Sequence, residues 1–162
     1  MPVTSIEKDA DALTMTVNAE FDASIDAVWQ IWADPRKLER WWGPPTYPAT
    51  VVEHDLRPGG VVTYFMTGPE GDKHDGWWRI RVVEQARRIA LEDGFGASPD
   101  DANPSLPTME MEMTLSERPG GGTAMTIETT FPSAEAMQQV LEMGMEEGMK
   151  QAMGQIDPLL AA

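Results

Sequence analysis

FDASIDAVWQIWADPRKLERWWGP, residues 21–44, is the stretch that decides the fold of this chain. It starts where an alternating strand ends, and Ser24 is a good N-cap for a short helix. Asp34-Pro35 favours a second short helix, because aspartate caps well and proline suits the first helical position. Gly43-Pro44-Pro45 ends that helix. The domain therefore opens with a strand followed by two short helices.

The segments on the N-terminal side are assigned from their periodicity. Residues 13–21 alternate between apolar and polar side chains, which predicts a half-buried strand. Residues 1–12 are polar and are predicted to be an N-terminal extension that is flexible or adds to the edge of a sheet. We expect residues 13–160 to form one domain, since a chain of 162 residues can bury about two-thirds of its unfolded surface in one core.

The middle of the chain has the pattern of antiparallel strands separated by turns. Glycine- and proline-rich turn signals lie at residues 57–60, 68–72 and 119–122. The predicted strands are residues 51–56, 61–66, 76–83, 87–92, 109–115 and 124–131. Residues 94–107 are rich in Gly, Pro, Asp and Ser, which predicts a long surface loop that is mobile or functional. Whether this loop acts as a lid is left open.

A single long helix is predicted at the C-terminal end. Ser133 caps it and Pro158 ends it at about Asp157, so its length is about 37 Å from a rise of ~1.5 Å per residue. Gly144 and Gly148 lie inside it, each at a cost of about 1 kcal/mol relative to alanine. A close approach to the sheet, or room for a ligand, would offset that cost. A helix after an antiparallel sheet implies an α+β fold with the helix on the sheet's inner face.

Four collinear motifs carry a resemblance to a known family. They are residues 21–44, DLRPGG at residues 55–60, the hairpin from GWWRI to RIAL at residues 76–91, and the segments EEGM and QIDPLL within residues 146–160. The chain resembles the SRPBCC (START-like, helix-grip) superfamily, and within it the branch similar to the activator of heat-shock protein 90 ATPase. The resemblance implies a curved antiparallel sheet of about six to seven strands around a long C-terminal helix, with two short helices after the first strand.

The resemblance also implies a container. The superfamily includes lipid carriers, hormone receptors, polyketide cyclases, aromatic-ring oxygenase subunits and chaperone activators, so the fold alone leaves several functions open. A curved sheet around one helix leaves interior space. We expect a largely apolar cavity between the long helix and the hairpin of residues 109–131, closed at one end by residues 41–47.

Methionine supplies much of the predicted inward surface. The chain has 12 Met, most of them on the hairpin and the long helix. Thioether side chains adapt to varied apolar ligands, but they also fill irregular core space, and simple filling is the preferred interpretation of the two. The predicted ligand-binding residues, including three aromatic residues expected at the interior or the cavity mouth, are Trp42, Tyr64, Trp78, Met111, Met113, Met125, Met145 and Met149.

Charge and composition exclude several classes of function. The net charge of −15 disfavours nucleic acid and anionic membrane surfaces as partners. The absence of cysteine excludes disulfides and thiolate chemistry. His54 and His74 have no third ligand nearby, so we expect no metal site, and we expect no cofactor. The N-terminal residues carry no secretory signal pattern, which favours a cytoplasmic location.

Three functions stay open at this point. The leading hypothesis is binding of a hydrophobic small molecule in the interior. The alternative is an enzyme of cyclase, hydrolase or isomerase type for an aromatic or polyketide-like substrate, which requires that Tyr64, His54 or a carboxylate reach the interior. The third is a chaperone-associated or regulatory module that acts through an exposed apolar patch. A homodimer also stays open.

Overall fold

The computed structural model describes residues 2–161 and contains one curved, open antiparallel sheet. Its strands are β1 Val3–Asp9, β2 Thr14–Phe21, β3 Ala49–His54, β4 Val61–Thr67, β5 Lys73–Glu84, β6 Arg88–Ser98, β7 Asp101–Ala102, β8 Met109–Glu117 and β9 Thr123–Thr130. They lie in the order β1-β2-β9-β8-β6-β5-β4-β3, and β7 pairs with β6 outside this path.

The helices are α1 Ile25–Ala33, α2 Pro35–Leu38, α3 Ala134–Glu142, α4 Met145–Met153 and α5 Ile156–Ala161. The first two start where the sequence predicts. Ser24 Oγ accepts a hydrogen bond from the Ala27 N–H at 3.2 Å, and Asp34 Oδ1 accepts one from the Arg36 N–H at 2.9 Å. Across residues 2–161, each helix is too short or too polar to span a lipid bilayer.

Sheet and helices share one buried core, which confirms the predicted α+β helix-grip class. Met113 on β8 and Ile127 on β9 are fully buried, as are Met153 on α4 and Ile156 on α5. The C-terminal helices therefore cover the inner face of the sheet. The sheet has nine strands, more than the six to seven predicted, because two segments without a clear strand pattern also join it.

The first of these segments is residues 3–9, which form the edge strand β1. The strand pairs with β2 from Asp9 opposite Thr14 to Val3 opposite Ala19. The N-terminal extension was predicted to be flexible or to add to the edge of a sheet. Residues 3–9 add to the edge of the sheet. An edge strand with little buried surface carries no strong apolar alternation, so its sequence is not distinctive.

The second segment is the predicted loop 94–107, and that prediction is wrong for its first part. β6 continues to Ser98, and β7 then pairs back onto it. Gly94 leaves room for the ring of Trp77 on the outer face of the sheet, and Gly96 has φ +117°, which L side chains rarely adopt. Here glycine marks a close approach and a bend within a strand, so the glycine content does not indicate a loop.

The prediction of one C-terminal helix of about 37 Å is also wrong, because the segment forms three helices. Gly144, with φ +91°, follows α3 in the left-handed conformation that commonly terminates helices. Its N–H donates to Leu141 O at 3.0 Å. A second interruption at residues 154–155 precedes α5. Pro158 does not end a helix, in contrast to the prediction. It lies in the first turn of α5, where its missing N–H is not needed.

Tryptophans build the part of the core next to α1 and α2. Ring centroids of neighbouring indoles lie 4.8–6.0 Å apart in a cluster of Trp32, Trp41, Trp42 and Trp78. Trp78 faces the interior, as its parity predicts. Trp77 lies on the opposite face of β5 and is nevertheless buried, because it packs against β6.

Both edge strands of the sheet are irregular. The ladder between β1 and β2 shifts register between Val3 and Ser5. The ladder between β3 and β4 shifts between Val51 and Glu53, and the Val52 between them is 64% exposed. A register shift of this kind leaves an extra residue unpaired and bends the strand locally.

Candidate ligand-binding pocket

A pocket of about 250 Å³ lies between the inner face of the sheet and helices α3 and α4. The sheet side is contributed by β4, β6 and β8, and the helical side by residues 140–152. Its lining is mainly apolar and contains five methionines, Met66, Met109, Met143, Met145 and Met149. The lining also includes the polar side chains of Tyr64 and Asp93.

The break between α3 and α4 lies at the pocket. Gly144 and Gly148 both line it, and a Cβ atom added to either would meet no other atom within 4 Å. Neither glycine therefore serves a close approach to the sheet, which was one of the two explanations offered by the sequence. Both leave open space beside the pocket.

Two residues of the segment 41–47 contribute to the pocket wall. Trp42 and Pro44 belong to its lining. The segment is held to the C-terminal helices by Gln155, whose Nε2 donates to Gly43 O at 2.7 Å. Trp41 Nε1 donates to Ile31 O at 3.0 Å and ties the same segment to α1. This wall is thus fixed by hydrogen bonds to helices on both sides.

Among residues 2–161, Asp93 is the one carboxylic acid in the pocket lining. Its residue lies opposite Trp78 in the β5–β6 ladder, so both side chains point to the inner face. Part of the carboxyl surface stays open to the pocket, but protein atoms surround it, and this burial raises the pKa of Asp93 to about 7. Within residues 2–161, no donor or cation offsets the burial of this group.

Tyr64 lies beside Asp93 in the same lining. Its ring packs over Gly76 of β5, where a Cβ atom would collide with the ring. Burial, followed by the charge of Asp93, raises the pKa of Tyr64 far above its usual value, so the hydroxyl stays protonated. The hydroxyl is thus a hydrogen-bond donor in an apolar pocket.

Two indole N–H groups at this site are unpaired. Nε1 of Trp42 and Nε1 of Trp78 are buried, and in the described part of the chain neither makes a hydrogen bond of acceptable geometry. Both face the Tyr64 hydroxyl oxygen, which partly opposes the rise in the pKa of Tyr64. Buried unpaired donors are rare in native proteins, so two of them next to a carboxyl mark an unusual polar site.

The eight predicted ligand-binding residues fall into two groups. Trp42, Tyr64, Met145 and Met149 line the pocket. Trp78, Met111, Met113 and Met125 do not line it and are packed in the core beneath it. The ligand-binding role of either group stays a prediction. For the second group, the structure agrees with the simpler interpretation that they fill the core.

The other titratable candidates lie away from the pocket. His54 Nε2 is 3.0 Å from Trp32 O, and His74 Nε2 is 2.9 Å from Asp72 on the surface. Glu146 lies 2.7 Å from Lys8 Nζ, which lowers the pKa of the Glu146 carboxyl. No group of three or more His, Cys, Asp or Glu side chains within residues 2–161 is arranged to hold a metal ion.

Asp93 was missed by the sequence analysis, although the sequence contains its signal. Ile89 and Leu91 are inward residues of β6, and the same parity continues to Asp93 and Phe95. The predicted strand ended at Glu92, one residue too early, because Gly94 was assigned to a loop. A carboxyl in register with buried aliphatic residues is the pattern that identifies this position.

The chain matches the family described as Activator of Hsp90 ATPase homolog 1-like protein over residues 22–161. Its fold is also similar to solved structures. Protein Ms6760 from Mycobacterium smegmatis is 52% identical, with a TM-score of 0.89, and the match covers 98% of this chain and 97% of that one. A protein from Arthrobacter aurescens is 46% identical, with a TM-score of 0.91 and coverage of 98% and 92%.

A more distant similarity concerns the fold alone. The AHSA1 protein from Silicibacter pomeroyi is 18% identical, with a TM-score of 0.72, over 91% of this chain and 97% of that chain. No curated protein matches the chain in sequence. Near and distant relatives therefore share one architecture over nearly the whole chain.

Proposed function

The chain belongs to the Activator of Hsp90 ATPase homolog 1-like family, and from that premise we propose that it binds a small hydrophobic molecule in the pocket between sheet and C-terminal helices. Sites for small molecules are concave and mainly apolar, with a few polar groups that fix orientation. The pocket has this composition, with five methionines and the polar side chains of Tyr64 and Asp93.

One observation carries the proposal: the Asp93 carboxyl, which has no hydrogen-bond or ionic partner in residues 2–161, belongs to the lining of an apolar pocket. Burying a polar group without a partner costs about 1–3 kcal/mol in proteins. A core selected only for stability would carry an apolar side chain at position 93. A ligand that supplies the missing partner for Asp93 accounts for this arrangement.

The volume sets the size of the ligand. A pocket of about 250 Å³ is slightly smaller than the ~300–1,000 Å³ usual for sites of drug-sized molecules. This favours a compact molecule with one or two rings over a lipid or a long polyketide. The methionine lining favours tolerance for several related ligands.

The experiment uses a variant that fills the pocket. Gly148→Leu places a side chain into open space on α4, where a Cβ atom meets nothing within 4 Å. The control is Gln151→Leu, an exposed position on the same helix. Native mass spectrometry and thermal shift with a library of small aromatic compounds should give ligands for the wild type and for Gln151→Leu. Equal binding by Gly148→Leu would show that the ligand lies elsewhere.

A second candidate function is favoured by Asp93 itself. A carboxyl with a pKa of about 7 is suited to accept or donate a proton at neutral pH, and the Tyr64 hydroxyl beside it can donate to a developing oxyanion. An enzyme that moves a proton on a carbonyl compound would use this pair. If the chain is such an enzyme, the rate should depend on a group titrating near pH 7 and should be lost in Asp93→Asn.

The role suggested by the family description, activation of the Hsp90 ATPase, has no specific support from the geometry. In residues 2–161, the exposed large apolar side chains are Val52 and Met143, which lie on different elements. A chaperone partner therefore stays a prediction, and an ATPase assay with added protein tests it directly.

A further inference from the structure

We propose that the ligand of this pocket is an organic cation, a compact and largely apolar molecule whose protonated amine pairs with the Asp93 carboxylate. The inference rests on the proposed binding function and deepens it by naming the chemical class of the ligand. It is carried by three features: the charged groups of the pocket, the residue types of its lining, and the unused hydrogen-bonding capacity of Asp93.

The lining of the pocket contains one charged group. Within residues 2–161, Asp93 is the only lining residue with a side chain that carries charge near neutral pH, since Tyr64 stays protonated. No basic side chain in the described chain compensates it. A buried carboxylate is stabilised by an opposite charge in contact and destabilised by a like charge. A cationic ligand therefore supplies what the pocket lacks, whereas a fatty acid or a phosphate would add a second negative charge.

The aromatic residues of the lining also favour a cationic ligand. Trp42, Tyr64 and Phe95 line the pocket together with Asp93. Tryptophan, tyrosine and phenylalanine rings attract organic cations through their quadrupoles, and sites for ammonium groups are built from these residues. The methionine thioethers provide a polarizable apolar surface for the rest of the ligand.

The third feature is that the hydrogen-bonding capacity of the Asp93 carboxyl is unused within residues 2–161. The N–H groups of Trp42 and Trp78 face the Tyr64 hydroxyl oxygen. The Asp93 carboxyl receives no hydrogen bond from residues 2–161 and keeps part of its surface open to the pocket. Both carboxyl oxygens are thus free to accept N–H groups of a ligand, and a protonated amine provides such donors together with the positive charge.

The net negative charge of the whole chain also favours a cationic ligand. A net charge of −15 attracts cations and repels anions over the protein surface. This field does not select one amine over another, but it raises the local concentration of cations and lowers that of competing carboxylates. Its contribution falls with added salt, whereas the contact with Asp93 is much less sensitive to salt.

The test compares isosteric ligands on the intact protein. Benzyl, cyclohexylmethyl and naphthylmethyl compounds are each used as the ammonium, the alcohol and the carboxylate, at pH 8 and 150 mM salt. Binding is measured by tryptophan fluorescence and calorimetry for the wild type, Asp93→Asn and Gly148→Leu. Asp93→Asn keeps the shape of the side chain, so binding of the alcohols to this variant reports an intact pocket.

The expected result is that ammonium compounds bind the wild type at least about tenfold more tightly than the alcohols, as charge-assisted hydrogen bonds allow. Asp93→Asn should lose this preference but retain the alcohols, and Gly148→Leu should lose both. Alcohols that bind as well as the amines, or an unchanged preference in Asp93→Asn, overturn the cation proposal and leave the pocket function intact. If no compound binds, both proposals fall.

Discussion

Asp93 lies directly opposite Trp78 in the antiparallel ladder between β6 and β5, and both side chains point to the inner face of the sheet. The carboxyl of Asp93 is therefore positioned by two central strands and not by a loop. Its neighbour is a fully buried indole. This pairing explains why the acid is shielded from water, and it fixes the position of the carboxyl in the pocket.

The first prediction concerns the pH dependence of stability. The pKa of Asp93 is raised from 3.8 to about 7 by burial. Between about pH 4 and 7 the unfolded chain releases this proton while the folded chain keeps it, so the contribution of Asp93 becomes less favourable as pH rises. Asp93→Asn should match the wild type near pH 4 and exceed its unfolding free energy above pH 7, by up to about 4 kcal/mol.

Urea unfolding at unit pH steps from 4 to 8 measures this gap. Asp100→Asn, at an exposed position, is the matched control for the change from aspartate to asparagine. A constant difference between Asp93→Asn and the wild type across the range would contradict the burial of the carboxyl.

The second prediction is that two neighbouring glycines respond to alanine with opposite signs. Gly144 has φ +91°, so Gly144→Ala should destabilise the fold by about 1–2 kcal/mol, the cost of a left-handed conformation for an L residue. Gly148 lies inside α4 with free space around it, so Gly148→Ala should stabilise by up to about 1 kcal/mol. Thermal unfolding of both variants checks this. A stabilising effect of Gly144→Ala would argue against the left-handed break between α3 and α4.

The third prediction compares two buried tryptophans. Trp41 Nε1 donates to Ile31 O at 3.0 Å, whereas Trp78 Nε1 has no partner in residues 2–161. Phenylalanine removes the donor in both cases, but only Trp41→Phe leaves a carbonyl without its hydrogen bond. We expect Trp41→Phe to lower the unfolding free energy by about 1–3 kcal/mol more than Trp78→Phe. The same loss in both variants in denaturant titrations would argue against this difference in partners.

The fourth prediction concerns the space beneath Tyr64. A Cβ atom at Gly76 would collide with the Tyr64 ring, so Gly76→Ala should destabilise by about 1–3 kcal/mol through overpacking. The cost should largely disappear in a Tyr64→Ala background, because the two residues are in contact. Asp75→Ala, at the exposed neighbouring position, serves as the control. Additive effects of the two substitutions in a double-mutant cycle would rule out this contact.

Much of the fold could be predicted because local signals agreed with tertiary packing. Ser24 and Asp34 act as caps in the structure as they do in the sequence pattern. The alternation along β8 and β9 identifies the inward methionines, which are buried. In these elements, the apolar period and the capping chemistry are set by residues close together in the chain.

The features that escaped prediction depend on partners far away in the sequence. Glycine in a helical pattern fits both a helix interior and a left-handed terminator, and only the position of the sheet and α4 selects the second at Gly144. In the sequence alone, Gly94 indicates a loop. In the structure it lies in a strand, where the ring of Trp77 packs against its outer side. The same error hid Asp93, since a strand that ends at Glu92 excludes it. The sequence therefore predicted aromatic and methionine residues of the candidate site but not its acid, Asp93.

The register shifts in β1 and β3 have a further consequence, for the behaviour of the protein at high concentration. These two strands are the outer members of the main sheet, and an open strand invites pairing with another molecule. Each has its regular spacing of N–H and C=O groups interrupted, between Val3 and Ser5 and between Val51 and Glu53. Glu7 and Asp9 on β1 and Glu53 on β3 are exposed, and these carboxylates repel the same edges of other copies. Both outer strands of the sheet formed by residues 2–161 therefore disfavour fibre-like stacking of one molecule on another.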